Sequence, residues 1–135
     1  MKFMIQQSNE NLTSHTGLAL VGELVKLSGL TQAIDSIQSM HYKISAFPDS
    51  DIVTSMIGLL SMAKTDFDDI EQFREDNFFA KTLNLSKGVA PSSPTLRLRL
   101  NAATDMWDKA VLKANTCLLK EYAKITPCPE GFVRL

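Results

Sequence analysis

The side chains most able to do chemistry fall in two clusters. The first is acidic: Asp66, Asp68, Asp69, Glu71, Glu75 and Asp76 lie within eleven residues, close enough for a pair to hold a divalent cation. They also fit the first turn and outer face of an amphipathic helix, where each acid stabilises the dipole by about 0.3–1 kcal/mol. That structural role is the one assigned to them. His15 and His41 stand far apart, and neither pairs with Cys117 or Cys128 at a metal-ligand spacing. Nucleophile-elbow, phosphate-binding glycine-loop and Cys-x-x-Cys motifs are missing. No catalytic residue, metal ligand or cofactor is therefore assigned.

The second cluster is Ser92-Ser93-Pro94-Thr95-Leu96-Arg97-Leu98-Arg99-Leu100. Ser93 as N-cap with Pro94 at the first helical position makes a clear helix start. The free amides of such a start, with its positive dipole end, suit a phosphate. Ser92, Ser93 and Thr95 add hydroxyls, and Lys87, Arg97 and Arg99 add charge. Arg97 and Asn101 are four apart and project from one side of the helix, away from Leu96 and Leu100. Arginine and asparagine are the types that read guanine and adenine edges in a major groove. Lys87, Ser92, Ser93, Thr95, Arg97, Arg99 and Asn101 are thus the candidate DNA contacts. The bland alternative is a capped helix with two ordinary surface arginines.

The elements that must position these residues read as helices. From Ile52 to Ala63 almost no polar face remains, which predicts a buried central helix at about 50–63, capped by Asp49 or Ser50 after Pro48. Ile57 and Leu60, mid-way along it, are expected in the core. A short helix follows, capped by Asp66 and backed by Phe67, Ile70 and Phe73. A helix at about Thr16–Ser28 carries a Leu20/Leu24/Leu27 stripe with Val21 and Val25 beside it, and Gly29 sits at the C-cap position. Short helices are expected at about Thr31–Gln38 and Phe78–Leu83, the latter capped by Asn77. A long helix from Asp105 to Lys124 spaces Trp107, Ala110, Val111, Ala114, Leu118 and Tyr122 helically. Gly131 to Leu135 resembles the opening of a β-strand. The fold expected is all-α, with six or seven helices around the central one. Residues 1–11 form a polar segment, 12–126 the helical domain and 127–135 a tail.

With 135 residues, one domain can bury a core without disulfides or metals. Two cysteines make no disulfide framework and suit a reducing cytosol. Signal-peptide and membrane-spanning patterns are lacking, so a cytoplasmic location is expected. The net charge of −1 conceals an asymmetry: residues 35–80 carry net −6 and residues 81–135 net +5. One face suits phosphates and another does not.

The order Leu12-Thr13-Ser14-His15-Thr16-Gly17-Leu18, then Gly58-Leu59-Leu60, then Lys64-Thr65-Asp66-Phe67-Asp68-Asp69 through Phe79, then Pro91-Ser92-Ser93-Pro94-Thr95-Leu96-Arg97 with Arg99-Leu100, resembles the N-terminal region of bacterial insertion-sequence transposases of the DDE class. The resemblance runs from about residue 12 to the end. It implies a helical region that binds double-stranded DNA at the element's terminal inverted repeats. It also implies a separate ribonuclease-H-like domain with two metals on three carboxylates. Leu98 departs from the family's usual glutamine and Asn101 from its usual aspartate. The chain stops at Leu135, where that family enters the strand bearing its first catalytic aspartate. The expectation is a DNA-binding domain or truncated fragment that is not itself an enzyme. A competing expectation is a dimerisation or protein-interaction module using the Phe67/Ile70/Phe73 helix and the Trp107 helix without DNA contact. A third is a decayed fragment that folds without present activity.

Overall fold

The computed structural model describes residues 15–37, 46–103 and 105–122, without the side chains of Met106 and Tyr122. Within them lie six α-helices and one 3₁₀ helix, with no strand among the described residues: α1 (Leu18–Ser28), α2 (Leu30–Asp35), α3 (Asp49–Ser61), the 3₁₀ helix Phe67–Phe73, α4 (Asn77–Thr82), α5 (Ser93–Asn101) and α6 (Asp105–Tyr122). The fold is all-α. The strand expected after Gly131, the polar segment 1–11 and His41 lie outside the described residues.

The central position of α3 follows from its composition. Ile52, Val53 and Leu59 enter the core, and α1, α2, α5 and the 3₁₀ helix all pack on it. Leu60 does not follow them: it is 51% exposed, because it sits in the last turn, where α3 emerges from its neighbours. The core position expected at Leu60 is taken by the fully buried Leu59, whose truncation to alanine should cost about 2–5 kcal/mol.

The expected cap of α3 also differs. Pro48 holds the N-cap position, and no side chain of α3 caps its own helix. Its first three residues reach outward to three other segments. Asp35, ending α2, accepts from the Ser50 amide at 3.0 Å and from the Ser50 hydroxyl at 2.8 Å. Asp51 accepts from the Ser86 amide at 3.1 Å and the Ser86 hydroxyl at 2.7 Å. Asp49 binds Arg99 of α5. The start of α3 therefore ties together α2, the loop after α4, and α5.

Helix α1 turns the opposite row inward from the one expected. Leu18, Gly22 and Val25 face the core, whereas Leu20, Leu24 and Leu27 are 73%, 52% and 46% exposed. Gly22 explains the choice. A Cβ added there would lie 2.0 Å from the Thr82 carbonyl oxygen, so α1 and α4 approach to a separation that only glycine permits. Gly29 takes the left-handed conformation (φ 67°) that separates α1 from α2.

The apolar residues Phe67, Ile70 and Phe73 are three apart, and in a 3₁₀ helix positions i and i+3 eclipse. They form a single ridge, with Ile70 and Phe73 buried. Phe73 stacks on Phe79 at 5.0 Å between centroids and meets the His15 ring edge-on at 5.6 Å. Asp66 caps this helix as expected, accepting from the Asp68 amide at 3.0 Å. Helix α4 is capped by Asp76 rather than Asn77, through the Phe78 amide at 2.8 Å. Helices α5 and α6 are separate, α5 closing at Ala102.

Candidate nucleic-acid interface

Helix α5 begins one residue earlier than its composition indicates: Ser92 is the N-cap, without a side-chain cap bond, and Ser93 is the first helical residue. The cap comes from another element. Glu71 of the 3₁₀ helix accepts from the Ser93 amide at 2.7 Å, and Asp68 accepts from the Ser93 hydroxyl. Carboxylates of the chain itself thus occupy the anion position at this helix start. Two of the acids assigned to their own helix dipole serve α5 instead. Ser93 is buried.

Arg99 is also turned inward. It is 6% exposed and paired with Asp49, itself 8% exposed, and its guanidinium donates to the Phe47 carbonyl at 3.3 Å. Position 99 lies three residues after Leu96 and so on the buried side of the helix. Ser93 and Arg99 are therefore withdrawn from the surface on which phosphate contacts were expected. Burial with a carboxylate partner is the physical reason in both cases.

What α5 shows to solvent is Pro94 in its first turn, then Arg97, Leu98 and Asn101. Arg97 is half exposed. Its Nη2 stands 3.7 Å from Asp68 and 3.9 Å from Asp66, and its guanidinium lies 5.5 Å above the Phe67 ring. Ion pairs this open hold weakly, on the order of 0–1 kcal/mol. Ser92 and Thr95 are half buried, their hydroxyls sharing a hydrogen bond at 2.9 Å. Lys87 is exposed, with its Nζ 5.2 Å above the Phe47 ring. Of the seven candidate contacts, Lys87, Arg97 and Asn101 are open to solvent, with Ser92 and Thr95 partly so.

The acidic cluster does not close into a metal centre: among the described residues no three His, Cys, Asp or Glu side chains converge. A cleft of about 410 Å³ beside the 3₁₀ helix is bordered by Phe47, Glu71, Arg74 and Glu75. Glu71 is engaged there at both oxygens, by Ser93 and by Arg74 at 3.3 Å. The role of Asp35, Asp49 and Asp51 as anchors between elements was missed in the sequence. Its one local sign is a dense Asp-Ser-Asp directly after Pro48, more than a single cap requires.

No family model, curated protein or solved structure matches this chain. No described helix is long and apolar enough to cross a membrane.

Proposed function

We propose that this chain is an N-terminal DNA-binding region of an insertion-sequence transposase of the DDE class. On this reading it binds the terminal inverted repeats and performs no strand chemistry itself. The observation that carries it is the division of labour on α5. Leu96, Ser93 and Arg99 fix one side of the helix in the core, while Arg97 and Asn101, one turn apart, stand on the solvent side. A rigidly seated helix presenting these two side-chain types suits direct base readout. The sequence resemblance supplies the nature of the duplex. Lys87 adds phosphate attraction nearby in sequence, and the weak carboxylate pairs of Arg97 exchange readily for base edges.

The test is a titration of terminal-repeat and random duplexes with wild type and Arg97→Ala. The expected outcome is a loss of about 1–3 kcal/mol on the repeat and much less on random DNA. Equal losses on both would make Arg97 a phosphate contact only. Nicking of the repeat by purified protein with magnesium, abolished on chelation, would overturn the non-catalytic assignment.

A second reading rests on a different observation. The 3₁₀ ridge and Trp107, the residues expected to mediate dimerisation, belong to the core: Ile70, Phe73 and Trp107 are all buried. The exposed Leu20, Leu24 and Leu27 row of α1 instead offers an apolar face to a protein partner. Leu24→Glu tests this: an altered mass in light scattering, with DNA affinity intact, would favour the interaction module.

A further inference from the structure

Helix α6 is eighteen residues long, and its core side is narrow. Trp107 and Ala114 are buried, with Ala110 and Leu118 partly so, where the helix packs on α1 and α2. Away from that side runs a second row: Lys109, Lys113, Thr116 and Lys120, at spacings of four, three and four. Such spacing keeps all four on one strip of the helix surface. All four are exposed, and none of the three lysines is in an ion pair among the described residues. The basic side chains that do form ion pairs among the described residues (Lys26, Lys64, Arg74, Arg97 and Arg99) each face a carboxylate. Asp105 opens the row at its N-terminal end, and the row beyond it is purely basic or neutral.

We infer that the Lys109–Lys113–Lys120 face of α6 docks along the phosphate backbone of duplex DNA. This rests on the DNA-binding reading above and adds to it a surface distinct from α5. From Lys109 to Lys120 the helix rises about 16.5 Å, at about 1.5 Å per residue. A duplex carries one negative charge per about 1.7 Å of its axis with both strands counted, so a segment of that length holds roughly ten phosphates distributed around it, more than three lysines need. Lysine is a compact charge on a flexible stem and suits phosphates met without fixed register. Charge complementarity fits a polyanion, and the placement of the apolar residues favours DNA over an acidic membrane. An interfacial helix needs its apolar face free to enter the lipid. Here the main apolar face is already spent on α1 and α2, and the exposed Leu112 and Leu119 lie to one side, next to Asp108.

The experiment compares wild type, Lys109→Gln/Lys113→Gln/Lys120→Gln, Arg97→Ala and Lys26→Gln on a random-sequence duplex, a terminal-repeat duplex and phosphatidylserine vesicles. Each is titrated from 50 to 200 mM salt. Glutamine keeps helix propensity, and circular dichroism verifies folding. For the triple variant the log–log salt slope on either duplex should flatten by about 2.7, at about 0.9 per lysine. The affinity ratio of wild type to triple variant then shrinks about 40-fold across that salt range. Lys26→Gln should leave the slope unchanged. A triple variant with the wild-type slope, while Arg97→Ala weakens repeat binding, overturns the α6 surface and leaves the base-reading proposal standing. Lysine-dependent duplex binding that ignores both Arg97 and the repeat sequence does the reverse. Binding to vesicles without binding to duplex overturns both.

Discussion

Arg99 and Arg97 are two residues apart on one helix and belong to different chemistries. Side-chain type alone places both on a DNA surface, but spacing distinguishes them. Arg99 follows Leu96 by three, as Leu96 follows Ser93, so it shares the inward row. The pattern was thus legible, and what hid it was the assumption that arginine stays outside. The partner was not legible, because Asp49 is fifty residues away in sequence. Removing one member of a buried pair leaves the other uncompensated, at a cost of about 3–5 kcal/mol. Arg99→Met and Asp49→Leu should each show that loss in urea unfolding. The double variant should lose clearly less than the two single losses added together, since it leaves no orphan charge. Strict additivity would mean that the two side chains do not stabilise one another. The same reasoning redirects DNA experiments: weakened binding by an Arg99 variant reports a damaged fold, not a lost phosphate contact.

Among the elements, the long apolar runs and the helix punctuation were readable. The identities of the faces were less so. Helix α1 carries two rows with the same i, i+4, i+7 spacing: Leu20, Leu24, Leu27, and Leu18, Gly22, Val25. Periodicity ranks the first higher, because leucine buries more apolar area than glycine. The close approach of α1 to α4 decides for the second, and that approach is a tertiary fact. Gly22→Ala should therefore be destabilising despite alanine's better helix propensity. Its new Cβ would meet the Thr82 carbonyl, a backbone atom that cannot rotate away. The expected loss is about 1–3 kcal/mol, as for overpacked cores. Gly17→Ala is the matched control, with helical φ of −58° and open space around the added methyl. It should be neutral or stabilising by up to about 1 kcal/mol. Thermal melts of the two variants settle the comparison, and equal melting temperatures would mean that α1 and α4 do not touch as described. Capping followed the same rule. Local caps such as Asp66 could be read from sequence, whereas Glu71 on α5 and Asp35 on α3 act across elements, from positions that do not name their partners.

At the scale of the whole molecule, the acidic middle and basic C-terminal part are not simply two opposed faces. They meet where the 3₁₀ helix seats α5, so Asp66, Asp68 and Glu71 are partly spent on Arg97 and on the start of that helix. Among the described residues, the lysines outside ion pairs are Lys81, Lys87 and the α6 row Lys109, Lys113 and Lys120. That helix is also the most lightly held of the long ones. Nine of the thirteen residues of α3 are buried, and its start is tied to α2, α5 and the Ser86 loop. Of the α6 positions whose side chains are described, all but Met106 and Tyr122, two are buried, Trp107 and Ala114. Few buried apolar contacts and much solvated backbone are the conditions for local opening below the global unfolding free energy. Native-state hydrogen exchange should therefore show α3 amides exchanging only with global unfolding. Amides in the middle of α6 should be protected at least roughly ten-fold less, a gap of about 1.4 kcal/mol or more. Trp107, the single tryptophan, gives an independent reading: its fluorescence should change at lower urea than the circular dichroism of the remaining helices. If the DNA proposal holds, saturating duplex should raise α6 protection selectively, because binding stabilises the state in which the lysine row is formed. Protection in α6 equal to that in α3, with coincident urea transitions, would instead make the domain one cooperative unit, with α6 an integral wall of its core.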